Sequence, residues 1–314
     1  MENESKKKKM PAFIKDALVG LGIGTAVIIP GISGGTIALI FKAFDKIVEA
    51  VSGLFKSFKL FWKNLLILLP FGVGAVLAVA GLYYPFQKAF EHCMLAIVCL
   101  FVGFILGSYP GVIDNVRGKR PTTPNIVFLI FGFLVSALIG ILSVIFDLGN
   151  IVNNLFMEPQ WYLYLIVFAV GIISSAGLIV PGLSGSLILL VIGFYLPIFN
   201  LPKNIIAGNN ILANCMLFLT FAIGVAVGFI LISKLMNVLM KKHYQTTMYL
   251  VIGFVGGSII SIFVNSNMFN YFKLQSNMIL DYILSPIFLI VGVVVAYLMV
   301  KYVRKHKKEE TNNA

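Results

Sequence analysis

Pro30-Gly31-Ile32-Ser33-Gly34-Gly35-Thr36 interrupts an apolar run that extends from Ala17 to Phe41 and carries no charge after Asp16. Proline removes a helix donor and glycine costs helical order, so a helix that enters this stretch must break there. The stretch then returns: Pro181-Gly182-Leu183-Ser184-Gly185-Ser186 stands 151 residues later, inside a second apolar run. Aligning the prolines pairs Gly31 with Gly182, Ser33 with Ser184, Gly34 with Gly185 and Ile37 with Ile188. A broken membrane helix at matching places of two halves points to the binding site of a transporter.

The rest of the chain agrees with a membrane setting. Of 314 residues, 59% are hydrophobic and only 11% charged, with a mean hydropathy of +0.98. A soluble domain does not have that balance, and several apolar runs approach the ~20 residues needed to cross ~30 Å of hydrocarbon. The N-terminal lysines Lys6 to Lys9 precede apolar sequence, but no small-residue cleavage site follows, so a cleavable signal is not expected. A net charge of +12 could indicate nucleic acid. Its placement at the ends of apolar runs fits membrane topology instead, and no nucleic-acid partner is expected. Cys93, Cys99 and Cys215 are read as small hydrophobes, without a redox or metal role.

The expected fold is an all-α polytopic membrane protein forming one integral membrane domain over residues 1–314. Residues 1–10 and 301–314 are basic tails. Helical limbs near 12–29 and 33–50 flank the first break, and spans follow near 64–83, 93–109 and 125–146. The second half repeats the plan, with limbs near 161–179 and 183–199 and spans near 211–233, 247–265 and 283–300. The likeness extends beyond the breaks. Gly103-Phe104-Ile105-Leu106-Gly107-Ser108 matches Gly253-Phe254-Val255-Gly256-Gly257-Ser258 at an offset of 150, and Phe71 and Gly74 match Phe221 and Gly224. The two repeats therefore cover about 11–150 and 160–305.

Charge sets the expected sidedness, because lysine and arginine favour cytoplasmic loops. If each broken element is a re-entrant hairpin and every other span crosses once, 21 of the 24 basic residues share one side. Only Lys88, Lys203 and Lys273 lie on the other. A hairpin plus three crossings is an odd count, so the halves are inverted relative to each other and both termini are cytoplasmic. Irregular backbone survives at membrane depth only against protein or a wet cavity, which favours buried tips.

The tips have a specific chemistry. Ser33 and Ser184 stand where a new helix starts, and serine is a favoured N-cap. The first helical N–H groups have no intrahelical partner, and glycine lets a ligand come close. Such an end suits phosphate or carboxylate. The candidate substrate-binding set is Pro30, Gly31, Ser33, Gly34, Gly35 and Thr36 with Pro181, Gly182, Ser184, Gly185 and Ser186. A single Pro-Gly with serine in a membrane helix is more often a kink; its duplication at symmetric places favours a ligand site. The paired Gly-Phe-x-x-Gly-Ser segments read as packing faces.

Catalysis is not expected. Gly31-Ile32-Ser33-Gly34 and Gly182-Leu183-Ser184-Gly185 spell the GxSG motif of rhomboid intramembrane proteases, but that chemistry needs a histidine base at membrane depth. His92, His243 and His306 fall at expected membrane edges or in the tail. No metal-ligand spacing, Walker loop or cofactor motif is present. Asp16, Asp45, Glu49 and Asp147 read as interfacial, so no membrane-depth carboxylate for ion coupling is identified.

The two proline segments, with Leu178-Ile179-Val180 before the second, resemble the signature segments of the DUF368 family. Leu106-Gly107-Ser108-Tyr109-Pro110 is similar to that family's Gly-Ser-x-Pro segment, and Gly224 to Lys234 to its later glycine-rich helix. The resemblance implies a polyprenyl-phosphate transporter of the bacterial cytoplasmic membrane. It also implies a substrate, undecaprenyl phosphate, returned from the outer to the inner leaflet for reuse in peptidoglycan and other surface polymers. On the residues alone, a transporter or channel for a small soluble anion remains the alternative.

Overall fold

The computed structural model describes residues 11–31, 34–41, 43–53, 57–118, 120–180, 183–274 and 279–312. Among them every regular element is helical. α1 (Ala12–Ile28), α2 (Gly34–Ile40) and α3 (Phe44–Gly53) precede a long α4 (Phe58–His92). α5 (Met94–Ile113), α6 (Thr123–Ile145) and α7 (Leu148–Met157) follow. α8 (Trp161–Ser174), α9 (Ala176–Ile179), α10 (Gly185–Val191) and α11 (Tyr195–Ile206) open the second half. It closes with α12 (Ile211–Lys242), α13 (Tyr244–Phe263), α14 (Ser266–Leu274) and α15 (Ile279–Asn312). Among the described residues, seven helical segments are long and apolar enough to cross a membrane, or eight spans if the bent pair α10–α11 counts as one.

The chain divides into two compact units, Met1–Ile28 with Gly34–Phe86, and Ile29–Ser33 with Gln87–Ala314. In the first unit α1 lies directly on α4. A side chain at Gly20 or Gly24 would strike the α4 backbone at Phe71 or Ala75, and one at Gly74 would strike the carbonyl of Ala17. Val19, Ala43 and Phe71 are buried together, with Ile23 and Ile47 against them. Lys46 pairs with Asp16 and lies 5.4 Å from the centre of the Phe71 ring.

The second unit repeats that contact between α8 and α12. Gly171 faces the carbonyl of Phe221 and Gly224 faces that of Phe168. Gly20 and Gly171 are 151 residues apart, and Phe71 and Phe221 are 150 apart. Two further pairs build the unit. On α5, Gly103 and Gly107 admit the backbone of α15 at Leu289 and Val293; on α13, Gly253 and Gly257 admit that of α6 at Leu129 and Phe133. The reverse contacts match too: Gly292 meets Leu100 and Phe104, and Gly132 meets Leu250 and Phe254. Lipid tails are as apolar as leucine, so close backbone approach through small residues, not burial from water, holds such helices together. The glycine segments read as packing faces are therefore helix contacts. Within the second unit α5 thus pairs with α15 and α6 with α13.

Three features differ from the sequence reading. The limbs expected at 33–50 and 183–199 are each two short helices. α10 and α11 meet at 105°, with Gly193 at φ +83°, a left-handed turn that favours glycine. The short helices α7 and α14 follow α6 and α13, where no element was expected. α15 also continues through the basic tail to Asn312, because lysine, arginine and glutamate are good helix formers in water.

Candidate functional site

Both broken elements contain a seven-residue helix, α2 and α10. At ~1.5 Å per residue each is about 10 Å long, a third of the hydrocarbon thickness. Ile32, Ser33, Pro181, Gly182 and the side chain of Thr36 lie outside the described residues. Pro30 is buried. Gly31 adopts φ +91°, and a side chain there would meet the α5 backbone nitrogen of Ile105 at 2.9 Å. Gly34 and Gly35 are half-buried at the start of α2.

The second tip is the better defined. Ser184 is the N-cap of α10 with extended backbone, φ −120° and ψ 137°, as the sequence suggested. Its hydroxyl makes no cap hydrogen bond. It pairs instead with the Ser186 hydroxyl at 2.7 Å, and both serines are buried, 5% and 7% exposed. The first intrahelical bond runs from the Ile188 N–H to the Ser184 carbonyl at 3.1 Å, so Gly185, Ser186 and Leu187 have no acceptor within the helix. Gly177 of α9 comes so close that a side chain there would overlap the Gly185 nitrogen. The tip thus offers two hydroxyls and first-turn N–H groups in a packed, apolar surround. A helix this short contributes little dipole, so hydrogen bonds rather than a macrodipole would hold an anion.

A second polar constellation was not singled out in the sequence. Asp281, in the first turn of α15, is 2% exposed. Its carboxylate accepts from the Leu95 N–H at 3.1 Å, the Ala96 N–H at 2.7 Å and the Tyr271 hydroxyl at 2.7 Å. A carboxylate on a neighbouring helix therefore caps the start of α5. The signal was available, as an aspartate three residues into an apolar span, but its backbone partners on α5 lie some 185 residues away. At the other end Arg304 donates to the carboxylate of Asp114 and to the Pro110 carbonyl at 3.1 Å. The acid sits at the N-terminus of α5 and the base at its C-terminus, matching the helix dipole.

Near the start of α5 a third polar group forms. Glu91, at the end of α4, accepts from the Gln87 amide at 2.8 Å, from Lys203 of α11 at 3.1 Å and from Lys88 at 3.4 Å. His92 and His243 stand at the α4–α5 and α12–α13 junctions, 151 residues apart. Among the described residues, no three His, Cys, Asp or Glu side chains gather where they could hold a metal ion. A cavity at the α10–α11 bend is lined mainly by apolar side chains such as Phe90, Met94, Leu190 and Met268, with Asn265 and Asn267 as its amides and no charged side chain.

A family model described as "VCA0040-like: Undecaprenyl phosphate translocase-like" matches residues 23–280. A polyprenyl-phosphate transporter of Staphylococcus aureus is 28% identical over 247 residues, covering 78% of this chain and 84% of the relative. A polyprenyl-phosphate transporter of Vibrio cholerae is 26% identical over 259 residues, covering 79% of this chain and 76% of the relative. No solved structure matches the chain.

Proposed function

The chain belongs to the VCA0040-like, undecaprenyl phosphate translocase-like family, and from that membership we propose that it carries a polyprenyl phosphate across the bacterial cytoplasmic membrane. The cargo is undecaprenyl phosphate, returned from the outer to the inner leaflet so that the carrier can serve cell-envelope synthesis again. The phosphate needs a shielded polar path while its tail remains in lipid. The role is transport, not catalysis.

The observation that carries this reading is the buried Ser184–Ser186 hydroxyl pair at the open first turn of α10. Donors at that depth suit a phosphate, and a break in an apolar segment is where transporters place their sites. The proposed binding residues are Pro30, Gly31, Ser33, Gly34, Gly35, Thr36, Pro181, Gly182, Ser184, Gly185 and Ser186. Inverted repeats with both termini cytoplasmic complete the proposal. They are supported by the matched glycine contacts of α1–α4 with α8–α12 and of α5–α15 with α13–α6. The polar bonds support the same sidedness: Lys203 with Glu91, Tyr271 with Asp281, Ser266 with Asp147 and Arg304 with Asp114 each join residues that the charge pattern assigns to one face.

The test is leaflet-resolved transport of labelled undecaprenyl phosphate by the purified protein in liposomes. A side chain at Gly185 would strike the Ser174 carbonyl at 2.9 Å, so bulk there disturbs packing as well as any site. Removing hydroxyls is the cleaner probe. The Ser184→Ala, Ser186→Ala double variant is expected to slow transport about tenfold, the worth of roughly one charge-assisted hydrogen bond, while remaining monodisperse. Wild-type transport by that variant would place the phosphate elsewhere.

A further inference from the structure

We propose that Lys88 and Lys203 form a receiving port for the phosphate head group, in which Glu91 is a resident anion that the incoming phosphate displaces. This rests on the reading of a polyprenyl phosphate as cargo and adds where that cargo is first held.

Three donors converge on the one carboxylate. The Gln87 amide and the Lys203 ammonium reach Oε1, and the Lys88 ammonium reaches Oε2. Gln87 is buried, 9% exposed, and therefore fixed. The charged side chains are open to the surroundings, Lys88 50%, Lys203 47% and Glu91 37% exposed. Two ammonium groups thus share this carboxylate. A phosphate monoester carries about −1.5 to −2 near neutral pH and offers three acceptor oxygens. It matches the lysine pair better than Glu91 does, and exposed ion pairs are held weakly enough to exchange.

An aromatic group lies beside the port. Phe199 stands one turn before Lys203 on the same face of α11 and stacks on Tyr195 with ring centres 5.6 Å apart. Phe90, next to Glu91 on α4, approaches Tyr195 at 6.0 Å and Phe199 at 6.4 Å. Phe90 and Tyr195 are buried, 8% and 4% exposed, so of the three rings the half-buried Phe199 is the one that borders the ammonium and amide donors; an isoprenyl phosphate has an apolar tail for that edge to meet, and a free phosphate ion does not. Lys88 and Lys203 are also two of the three lysines that the charge pattern assigns to the face where the lipid would be collected. Lys203 lies on α11, beyond the 105° bend from α10. Loading the port therefore acts on the same broken element whose other limb carries Ser184 and Ser186.

A structural latch and an exchangeable port differ in sign. Breaking a latch from either side has the same result. In a port, removing the carboxylate removes a competitor, while removing an ammonium removes the ligand's partner. The full-length protein in lipid nanodiscs would be titrated with farnesyl phosphate. Glu91→Gln is expected to tighten binding about threefold to tenfold, whereas Lys203→Gln and Lys88→Gln each weaken it by a similar factor. Lys203→Arg should restore near wild-type affinity because it keeps the charge. Equal weakening by Glu91→Gln and Lys203→Gln, or no change in either, overturns the port. Competition by inorganic phosphate as strong as farnesyl phosphate would overturn the lipid assignment. Transport by the wild-type protein with affinities unmoved in all variants removes the port and leaves the cargo reading standing; absence of wild-type transport removes both.

Discussion

The helix pairs α5–α15 and α6–α13 share one packing scheme but are fastened differently. In each, glycines on the first helix or its partner bring backbones into contact at matching positions. The α5–α15 pair is also bolted at both ends by charge, Asp281 at the start of α5 and Arg304 at its end. The α6–α13 pair has hydroxyl and amide bonds in the corresponding places, one of them through Ser266 at the start of α14, whose own hydroxyl also reaches the Asp147 carboxylate beyond α6. Thr246 donates to the buried Asn125 at 3.0 Å, and the Ser266 N–H donates to the Ser143 hydroxyl at 2.9 Å. Inside this pair the hydroxyls of Ser136 and Ser261 are buried without a hydrogen-bond partner. The two pairs thus share a contact geometry and differ in energetics. One pair is a fixed strut; the other carries polar groups at a cost in stability.

The strut is broken most severely at Asp281. Its carboxylate satisfies two first-turn N–H groups of α5 and the Tyr271 hydroxyl. Asp281→Ala leaves those donors buried and unpaired, and is expected to destabilise the protein by about 3 kcal/mol. Asp281→Asn keeps one acceptor but turns an NH₂ group toward one of the two N–H donors, which reach different carboxylate oxygens, so about half of that loss is expected. Thermal unfolding in detergent, followed by tryptophan fluorescence, measures both. Equal stability of the alanine variant would show that the cap is not what holds α5.

This contrast also shows how far the sequence could be read. The two proline segments, the glycine pairs at an offset of 150 and the apolar runs are local patterns, and they suffice for a helical membrane protein. The charges did not reveal their bonds in the same way. Asp281 was counted only as a charge near a membrane edge, because its worth depends on N–H groups brought to it by the fold. The Ser184 position at the head of a helix was legible, since capping follows chain order. Its hydroxyl's partner was not, since the choice between its own helix and Ser186 is made by packing around Gly177 and Ser174. The bend at Gly193 was likewise hidden, because a lone glycine in an apolar run is compatible with a continuous helix.

The opposite sign is expected in the second pair. Ser136 and Ser261 are both 0% exposed, and their hydroxyls are orphaned. In the α5–α15 pair the place corresponding to Ser136 is held by Ala296, four residues after Gly292 as Ser136 is after Gly132. Ser136→Ala therefore makes one pair more like the other. Removing an unsatisfied buried hydroxyl should raise stability by up to ~1 kcal/mol per site, visible as an upward thermal shift in Ser136→Ala and Ser261→Ala. A downward shift in both would mean that these hydroxyls are bonded in the membrane and that the pair is not the looser of the two.

The smallest effect belongs to Asp147, just beyond α6. It accepts from the Ser266 hydroxyl at 2.7 Å and from the Asn150 amide at 2.7 Å. The Ser266 bond, then the Asn150 bond, holds its carboxyl below the ordinary aspartate pKa of 3.8. The ionised form is thus favoured on folding. The resulting stability is present above the ordinary value and is lost as pH falls through the lowered folded value. Across neutral pH no change is expected; below the ordinary aspartate value the wild-type protein should lose a small increment of stability that Asp147→Asn does not lose. Asparagine is the proper replacement because Asp147 has φ +50°, a left-handed conformation that asparagine tolerates. Thermal shifts of the two proteins, compared between pH 7 and the acid range, measure the difference. If Asp147→Asn keeps the wild-type acid slope, the slope arises elsewhere, and the Ser266 contact fastens α14 to the end of α6 without drawing on charge.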